Sequence, residues 1–283
     1  MTLQHVRGLL VATATLCLAA CGGGGGGGGS DFIPPPPVTE PPPPSANANP
    51  LSSPPVGVTS TTDLVAVGVL QDVSWNAQAG AYEVQLDGAS ARVAPTVAGS
   101  NAQSGDLIAA DGSKLPSIIQ ALPGFDYTRV GHVMAEDASS RGFAFGLPTP
   151  SGSVPIAGTA TYDAMIDGHA GRWLLYGTAQ FQFDFAAGKL SGYMDPHTNG
   201  PWATPELPRY NFAQTVFSTG STTFSGSFDV AGPTPSSFQG QFTGPQAQEL
   251  MATFTAPFLD WDEQTGIQNS WRVMEGAIAG RRH

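Results

Sequence analysis

Hydrophobic and polar residues alternate along most of the chain after residue 158. The clearest case is Gln180-Phe181-Gln182-Phe183-Asp184-Phe185, where a phenylalanine stands at every second position. A period of two places alternate side chains on opposite faces of a strand, so each such segment predicts a β-strand with one buried face. Turn residues separate the segments, whose predicted bounds are 158–166, 172–185, 189–194, 210–218, 223–230, 237–243, 251–258 and 268–279.

Glycine stands inside several of these strands. In Phe224-Ser-Gly-Ser-Phe228 and in Phe238-Gln-Gly-Gln-Phe242, two phenylalanines share one face and a glycine lies between them. Glycine within a strand marks strong curvature or a close approach of backbones. Eight short antiparallel strands with internal glycines favour a small closed barrel, which has no free edges. An open β-sandwich is the alternative.

The alternation is weaker between residues 60 and 150. Tyr82-Glu-Val-Gln-Leu86 alternates and stops at Gly88, as a half-buried strand should. Segments 127–136 and 142–147 predict a hairpin, and 117–122 predicts a helical turn. The chain is therefore expected to be all-β, with a smaller β-rich domain at 60–150 before an eight-stranded antiparallel barrel at 151–283.

The first residues predict an exported lipoprotein. Residues 8–20 carry no charge, but these thirteen residues are too short to span a hydrocarbon core, which needs about 20. They end in Leu18-Ala19-Ala20-Cys21, which resembles the lipobox of bacterial lipoproteins. The resemblance implies a signal peptide at 1–20, lipid (including palmitate) on Cys21, and sorting to the outer membrane because Gly22 follows. An ordinary secreted protein with a coincidental cysteine is the alternative.

Composition adds two inferences, one about a disordered segment and one about nucleic-acid binding. Segment 21–59 holds a run of eight glycines and all 11 of the prolines found between residues 34 and 55, which predicts a disordered tether. The whole chain has 11 Lys and Arg against 22 Asp and Glu, a net charge of −11. An acidic chain without a basic cluster is not expected to bind nucleic acid.

No enzyme motif, and no metal or cofactor motif, is found in the sequence, so the protein is expected not to be an enzyme. Two predicted loops are better candidates for contact with a partner. The loop at 195–208 contains His197 and Trp202, and the loop at 259–266 sets a tryptophan among three carboxylates, since exposed Trp often anchors interfaces. The candidate residues of the second loop are Asp260, Trp261, Asp262 and Glu263.

Several short words in the barrel region carry a resemblance to a known family. They are Gly158-Thr-Ala-Thr-Tyr162, Gly188-Lys-Leu-Ser-Gly192, Phe224-Ser-Gly226, Gly240-Gln-Phe-Thr-Gly-Pro-Gln-Ala-Gln-Glu-Leu250 and Gly276-Ala-Ile-Ala-Gly280. In order and spacing they resemble the barrel of transferrin-binding protein B-like surface lipoproteins, a group that includes factor H binding protein and haem- or haemoglobin-binding relatives. The likeness covers 151–283, and residues 60–150 would match the handle domain by position. Family members continue with two glycines where this chain has Met251-Ala252.

The resemblance implies a non-enzymatic lipoprotein at the cell surface that serves iron acquisition. Its partner would be a transferrin-like or haemoglobin-like host protein or haem itself, bound through loops of the barrel and the handle. Among the histidines, His197 is the best candidate to contact haem. A small-molecule carrier with its ligand inside the barrel, and a structural or assembly lipoprotein of the outer membrane, are the alternatives.

Overall fold

The structure is a computed structural model, and it describes residues 51–58, 63–95, 104–134, 140–200, 204–262 and 267–283. Within these ranges every regular element is a β-strand. No described segment forms a helix long and apolar enough to span a bilayer. Cys21, the signal peptide and most of the predicted tether lie outside the described residues.

The first eight strands form one antiparallel sheet, here called the first sheet, in the order β1-β8-β7-β6-β5-β4-β3-β2. Its strands are β1 (Val65–Gly68), β2 (Leu70–Asn76), β3 (Ala81–Leu86), β4 (Ala89–Pro95), β5 (Ser104–Ala109), β6 (Lys114–Gln120), β7 (Thr128–Met134) and β8 (Ser140–Gly146). The hairpin predicted at 127–147 is confirmed as β7 and β8, paired from Thr128–Gly146 to Met134–Ser140.

The helical turn predicted at 117–122 is wrong, because strand β6 occupies most of that segment. Ser117 and Ile119 are buried on one face, whereas Ile118 and Gln120 are only partly covered. Because Ser117 is polar but occupies a buried position, the alternation of buried and exposed positions in β6 is not visible as an alternation of apolar and polar residues. Its hydroxyl accepts a hydrogen bond from the backbone N–H of Leu107 at 2.8 Å, so burying it leaves no acceptor unpaired.

The last eight strands close into an antiparallel barrel in the order β10-β11-β12-β13-β14-β15-β16-β9. They are β9 (Thr159–Ala170), β10 (Trp173–Asp184), β11 (Lys189–Asn199), β12 (Tyr210–Val216), β13 (Thr223–Phe228), β14 (Ser237–Thr243), β15 (Glu249–Trp261) and β16 (Gln268–Arg282). All eight predicted barrel strands are confirmed, as is closure, and the sandwich alternative is wrong.

Aromatic rings fill the interior of the barrel. Phe183 lies near the centre, with its ring centroid 4.8 Å from that of Phe242 and 5.3 Å from that of Phe224. Tyr162 and Trp173 are both buried as well. The other buried phenylalanines of this core are Phe181, Phe185, Phe217, Phe228, Phe238, Phe254 and Phe258. Packed aromatic rings make the barrel a solid core, as expected for eight strands.

The first sheet packs against the outer surface of β15, β16 and β9. Small residues allow the close approach: a Cβ built on Gly142 of β8 would lie 2.6 Å from the Cα of Gly276 in β16. Around this point lies a buried apolar cluster made of Leu122, Phe125, Val130, Ala144, Met251, Ala277 and Ala279. Met251, which stands where the resembling family has glycine, therefore packs between the barrel and the sheet.

The segment after β14 is a turn over residues 244–247. Gly244 has φ of +81° and Ala247 has φ of +55°, both in the left-handed region. Ala247 and Leu250 are fully buried. The carbonyl of Ala247 accepts a hydrogen bond from the Tyr162 hydroxyl at 2.6 Å, which ties this turn to β9.

Candidate functional site

Four connections between barrel strands meet at one end of the barrel, here called the loop end. In an antiparallel barrel every second connection lies at the same end, and these four span residues 171–172, 200–209, 229–236 and 262–267. The two segments that the sequence offered for partner contact therefore lie at the same end. Trp202 and Glu263 fall outside the described residues, so their part in a site stays a prediction.

The predicted loop at 195–208 is shorter than expected, because β11 continues to Asn199. His197 is thus a strand residue with an exposed side chain, and its ring centroid lies 5.8 Å from that of Tyr176 on β10. Beyond Met194, β11 pairs with β10 only, since its pairing with β12 stops there. Pro196, which has no N–H, is tolerated where only one side of a strand is paired.

Asp260 does not lie in an exposed loop, and that prediction is wrong. It is a residue of β15 with only 1% of its surface exposed. Its carboxylate accepts hydrogen bonds from Trp173 Nε1 and from the backbone N–H of Trp261, each at 2.8 Å, and pairs with Arg272 Nε at 3.0 Å. Asp260 therefore organises the loop end from within and offers no surface to a partner.

Trp261 and Asp262 close the end of the β15–β16 hairpin. Trp261 is partly buried and packs against the barrel core, and its indole Nε1 is buried without a hydrogen-bond partner among the described residues. The backbone N–H of Asp262 donates to the carbonyl of Ile267 at 2.8 Å. Their contact with a partner stays a prediction.

Several large apolar side chains stand exposed around the loop end, and the sequence reasoning missed them. Tyr176 on β10 is 51% exposed and Trp271 on β16 is 45% exposed. We call this set the apolar rim; its members are Leu174, Tyr176, Ile267, Trp271 and Val273. A signal was present in Trp173-Leu174-Leu175-Tyr176, because four large apolar residues in succession in one strand must place two of them on the outer face.

Arginines lie beside the aromatic rings of this end. The guanidinium carbon of Arg172 lies 4.8 Å from the ring centroid of Trp173, and that of Arg209 lies 4.2 Å from Tyr193. Arg209 also pairs with Asp195 at 3.1 Å. Exposed aromatic residues together with arginine are enriched at protein–protein interfaces relative to the rest of a protein surface.

A ligand inside the barrel would have to displace the packed phenylalanines. The described surface does contain an open groove of about 700 Å³ between the first sheet and the barrel. The polar residues of its lining include Arg141, Ser225, Ser237, Gln239, Thr253 and Glu275. Within the described residues, no three His, Cys, Asp or Glu side chains are grouped to hold a metal ion.

No family model and no curated protein matches this chain. Solved structures do. The chain is similar to a variant of transferrin binding protein B from Haemophilus parasuis, with a TM-score of 0.47 and 14% identity, over 80% of this chain and 46% of that one. It is similar to the same kind of protein from Neisseria meningitidis, with a TM-score of 0.49 and 16% identity, over 80% of this chain and 44% of that one.

A third similar structure is HpuA from Kingella denitrificans in complex with human haemoglobin. Its TM-score is 0.46 at 14% identity, over 86% of this chain and 95% of that one. The chain thus spans less than half the length of the two transferrin binding proteins and nearly all of HpuA.

Proposed function

We propose that this chain is a non-enzymatic lipoprotein, held in the outer membrane by lipid on Cys21 and exposed at the cell surface, that binds an iron- or haem-carrying host protein. The apolar rim is the observation that carries this proposal. Tyr176 and Trp271 expose about half of their surface at the end of a rigid barrel. Exposed Trp and Tyr beside arginines are the residue types that dominate binding energy at interfaces.

The solid barrel suits this role because it presents the rim in a fixed arrangement. Strand residues such as Leu174 and Tyr176 lose little freedom on binding, since the backbone that carries them is already hydrogen-bonded on both sides. The aromatic core argues against the carrier alternative, because eight strands leave little interior volume once rings occupy it.

The nature of the partner rests on the sequence resemblance. Transferrin and haemoglobin are the first probes because they appear in the names of the similar structures. Free haem is the second kind of ligand, and His197 beside Tyr176 is the described residue pair that would meet it. An assembly lipoprotein of the outer membrane would bind none of these.

The test is binding of human transferrin, human haemoglobin and haemin to the processed chain, immobilised through its tether. Tyr176→Ala is expected to weaken protein binding roughly 30-fold, the scale of a hot-spot residue. Val216→Ala is the matched control, since Val216 is 63% exposed but lies at the opposite end of the barrel, and it should change affinity less than twofold. Absence of binding to all three probes, or equal effects of the two substitutions, would contradict the proposal.

Location is tested separately by protease treatment of intact cells. The domain should be digested on whole cells, and Cys21→Ala should release it from the membrane fraction. Protection until the outer membrane is opened would place the domain in the periplasm and favour an assembly role.

A further inference from the structure

The open groove between the first sheet and the barrel is longer than its wider part alone. That part, of about 700 Å³, continues into a second part of about 470 Å³, and the two share Gly68, Ser225 and Gln239 in their linings. We call the two parts together the polar groove. The wider part alone falls within the range of about 300–1,000 Å³ that is usual for ligand sites. The continuation suits a chain-like ligand better than a compact one.

The barrel wall of the polar groove carries uncharged polar side chains in register. Strand pairing places Ser225, Gln239 and Thr253 in one row across β13, β14 and β15. The side chains of this row make no hydrogen bond to another described residue. In the next row the hydroxyl oxygens of Ser237 and Thr255 lie 3.3 Å apart. Hydroxyl and amide groups can both donate and accept, so this wall offers a ligand several hydrogen-bonding positions.

The narrower part contains a buried donor. Gln241 Nε2 of β14 is buried and finds no hydrogen-bond partner among the described residues. Buried polar groups are nearly always hydrogen-bonded, so an acceptor from outside the described chain is expected there. In the wider part, Gln214 has φ of +45° and lies where the pairing of β12 is irregular, between Ala213 and Val216. Irregularities of this kind redirect side chains and often adjoin binding sites.

The charges beside the polar groove are compensated within the protein. Arg141 donates from both terminal nitrogens to the two carboxylate oxygens of Asp87. Glu275, the other charged residue of the described lining, interacts with the charge of Arg141. Among these lining residues no cation is therefore left to bind an anion, and the whole chain has a net charge of −11. The ligand is expected to be uncharged.

The backbone of the barrel wall is already hydrogen-bonded on both sides. Strand β13 lies between β12 and β14, β14 between β13 and β15, and β15 between β14 and β16. A peptide strand binds a sheet through an unpaired edge, which this wall does not offer. Strand β1, which lines the opposite wall, is an edge strand of four residues, and short edge strands resist strand addition. A ligand that brings its own hydroxyl groups fits these side chains better than a peptide does.

We infer that the polar groove binds a neutral oligosaccharide, whose hydroxyl groups exchange hydrogen bonds with the row from Ser225 to Thr253 and accept one from Gln241. The inference goes beyond the proposed function and does not rest on it, because the polar groove shares no residue with the apolar rim. The phenylalanines of the described lining are buried in the barrel core, so sugar rings gain no stacking. Three or four hydrogen bonds between neutral groups then predict a dissociation constant on the order of 1 mM.

The test measures sugar binding to the chain from residue 21, with Cys21→Ala to keep it free of lipid. The probes are maltohexaose, cellohexaose and N-acetylated chitohexaose, each carrying an uncharged fluorophore at its reducing end, and the readout is fluorescence anisotropy. At least one of the three should bind. A heparin hexasaccharide should bind more weakly than that sugar, because its sulfates meet an acidic chain without a free cation in the groove.

Two substitutions at exposed positions of β14 test the site without disturbing the core. Gln239→Ala removes the amide shared by both parts and should weaken binding roughly fivefold, the scale of one or two lost hydrogen bonds. Ser237→Trp should prevent binding by filling the wider part. Gln182→Ala is the matched control, since Gln182 is exposed on β10, four strands away from β14 in the closed barrel. It should change the affinity less than twofold, and urea unfolding verifies that all three variants are folded.

Three results would overturn the inference. The first is no binding of any of the three sugars at up to about ten times the expected dissociation constant. The second is an equal effect of Gln239→Ala and Gln182→Ala. The third is tighter binding of a competing probe, either the heparin hexasaccharide or an acetylated and amidated hexapeptide of alternating serine and threonine. That peptide offers the same hydroxyl groups on a different backbone, so its preference would assign the groove to a polypeptide.

Discussion

The closest approach between the first sheet and the barrel is made by glycines, and Gly142→Ala tests whether that approach holds the two together. A Cβ at residue 142 would lie 2.6 Å from Gly276 Cα and 2.7 Å from Ala277 N, whereas ordinary contacts begin at 3.4 Å. Neither Gly142 nor Gly276 has a positive φ, so alanine fits the local backbone at both positions. The cost of a side chain at residue 142 therefore arises from its contact with the backbone of β16.

The expected loss in the free energy of unfolding follows from how far these distances fall below ordinary contact. Strands β8 and β16 would have to separate by roughly 1 Å, since the atoms that obstruct the new methyl group belong to backbone and cannot rotate away. That movement also loosens the apolar cluster around Met251 and Ala144. Overpacking of this kind costs about 1–3 kcal/mol, and a backbone obstruction places Gly142→Ala in the upper half of that range.

The assay is urea unfolding of the processed chain, with the free energy of unfolding compared between variants. Gly276→Ala should be destabilising for a different reason, because its Cβ would lie 2.6 Å from the carbonyl oxygen of Asp167 and 2.8 Å from the ring of Phe254, both within the barrel. A free energy of unfolding for Gly142→Ala within about 0.5 kcal/mol of the original would refute the reasoning, as that is the range of neutral surface changes.

Three further outcomes follow from the barrel. Asp260→Ala should lower the free energy of unfolding by about 1–3 kcal/mol, because it leaves the buried Trp173 Nε1 without its acceptor, whereas the half-exposed Arg272 can turn to solvent. Asp260→Asn keeps an acceptor and should lose less than half of that, and equal losses in denaturant melts would contradict this role. Phe183→Ala should lose about 3–5 kcal/mol in thermal or urea unfolding, and a loss below about 1 kcal/mol would show that the core can collapse around it. Burial raises the pKa of Tyr210 to about 12, so its contribution to the free energy of unfolding is present below pH 10 and is lost as the pH rises through 12. Tyr210→Phe should reduce this loss of stability at alkaline pH, and the absorbance of the phenolate measures the titration.

The barrel could be predicted from sequence because its strands bury one face and expose the other. Phe181, Phe183 and Phe185 state that pattern locally, without reference to any other strand. Strand β6 escaped prediction because Ser117 is polar and yet buried, its hydroxyl being hydrogen-bonded across the sheet. The contact between the rings of His132 in β7 and His169 in β9 could not be foreseen, because it depends on how the sheet packs on the barrel rather than on the order of residues along either strand.

The sequence indicated the end of the barrel at which the candidate site lies, but not which residues are exposed there. Both predicted loops do lie at one end of the barrel, since alternate connections of an antiparallel barrel must. Burial of Asp260 could not be inferred, because its partners Trp173 and Arg272 come from two other parts of the chain. Tyr176 and Trp271 carry no loop signal because both stand in strands, although the apolar run from Trp173 to Tyr176 indicates that two of its side chains face outward.

The point where the tether enters the fold and the apolar rim lie at opposite ends of the molecule, which determines the direction of a mechanical load between them. Leu51, the first described residue, is buried in the core of the first sheet, and Val56 N–H donates to the carbonyl of Asp126, whose own N–H donates to Glu249 of β15. The apolar rim lies at the far end of the barrel strands. If Cys21 anchors the chain and the rim holds a partner, as proposed, a pulling force runs along the strands. Such a force loads many hydrogen bonds between strands at once and in shear, so no hairpin opens one bond at a time. Flow past the cell would therefore load the contact between the first sheet and the barrel before it opened a hairpin.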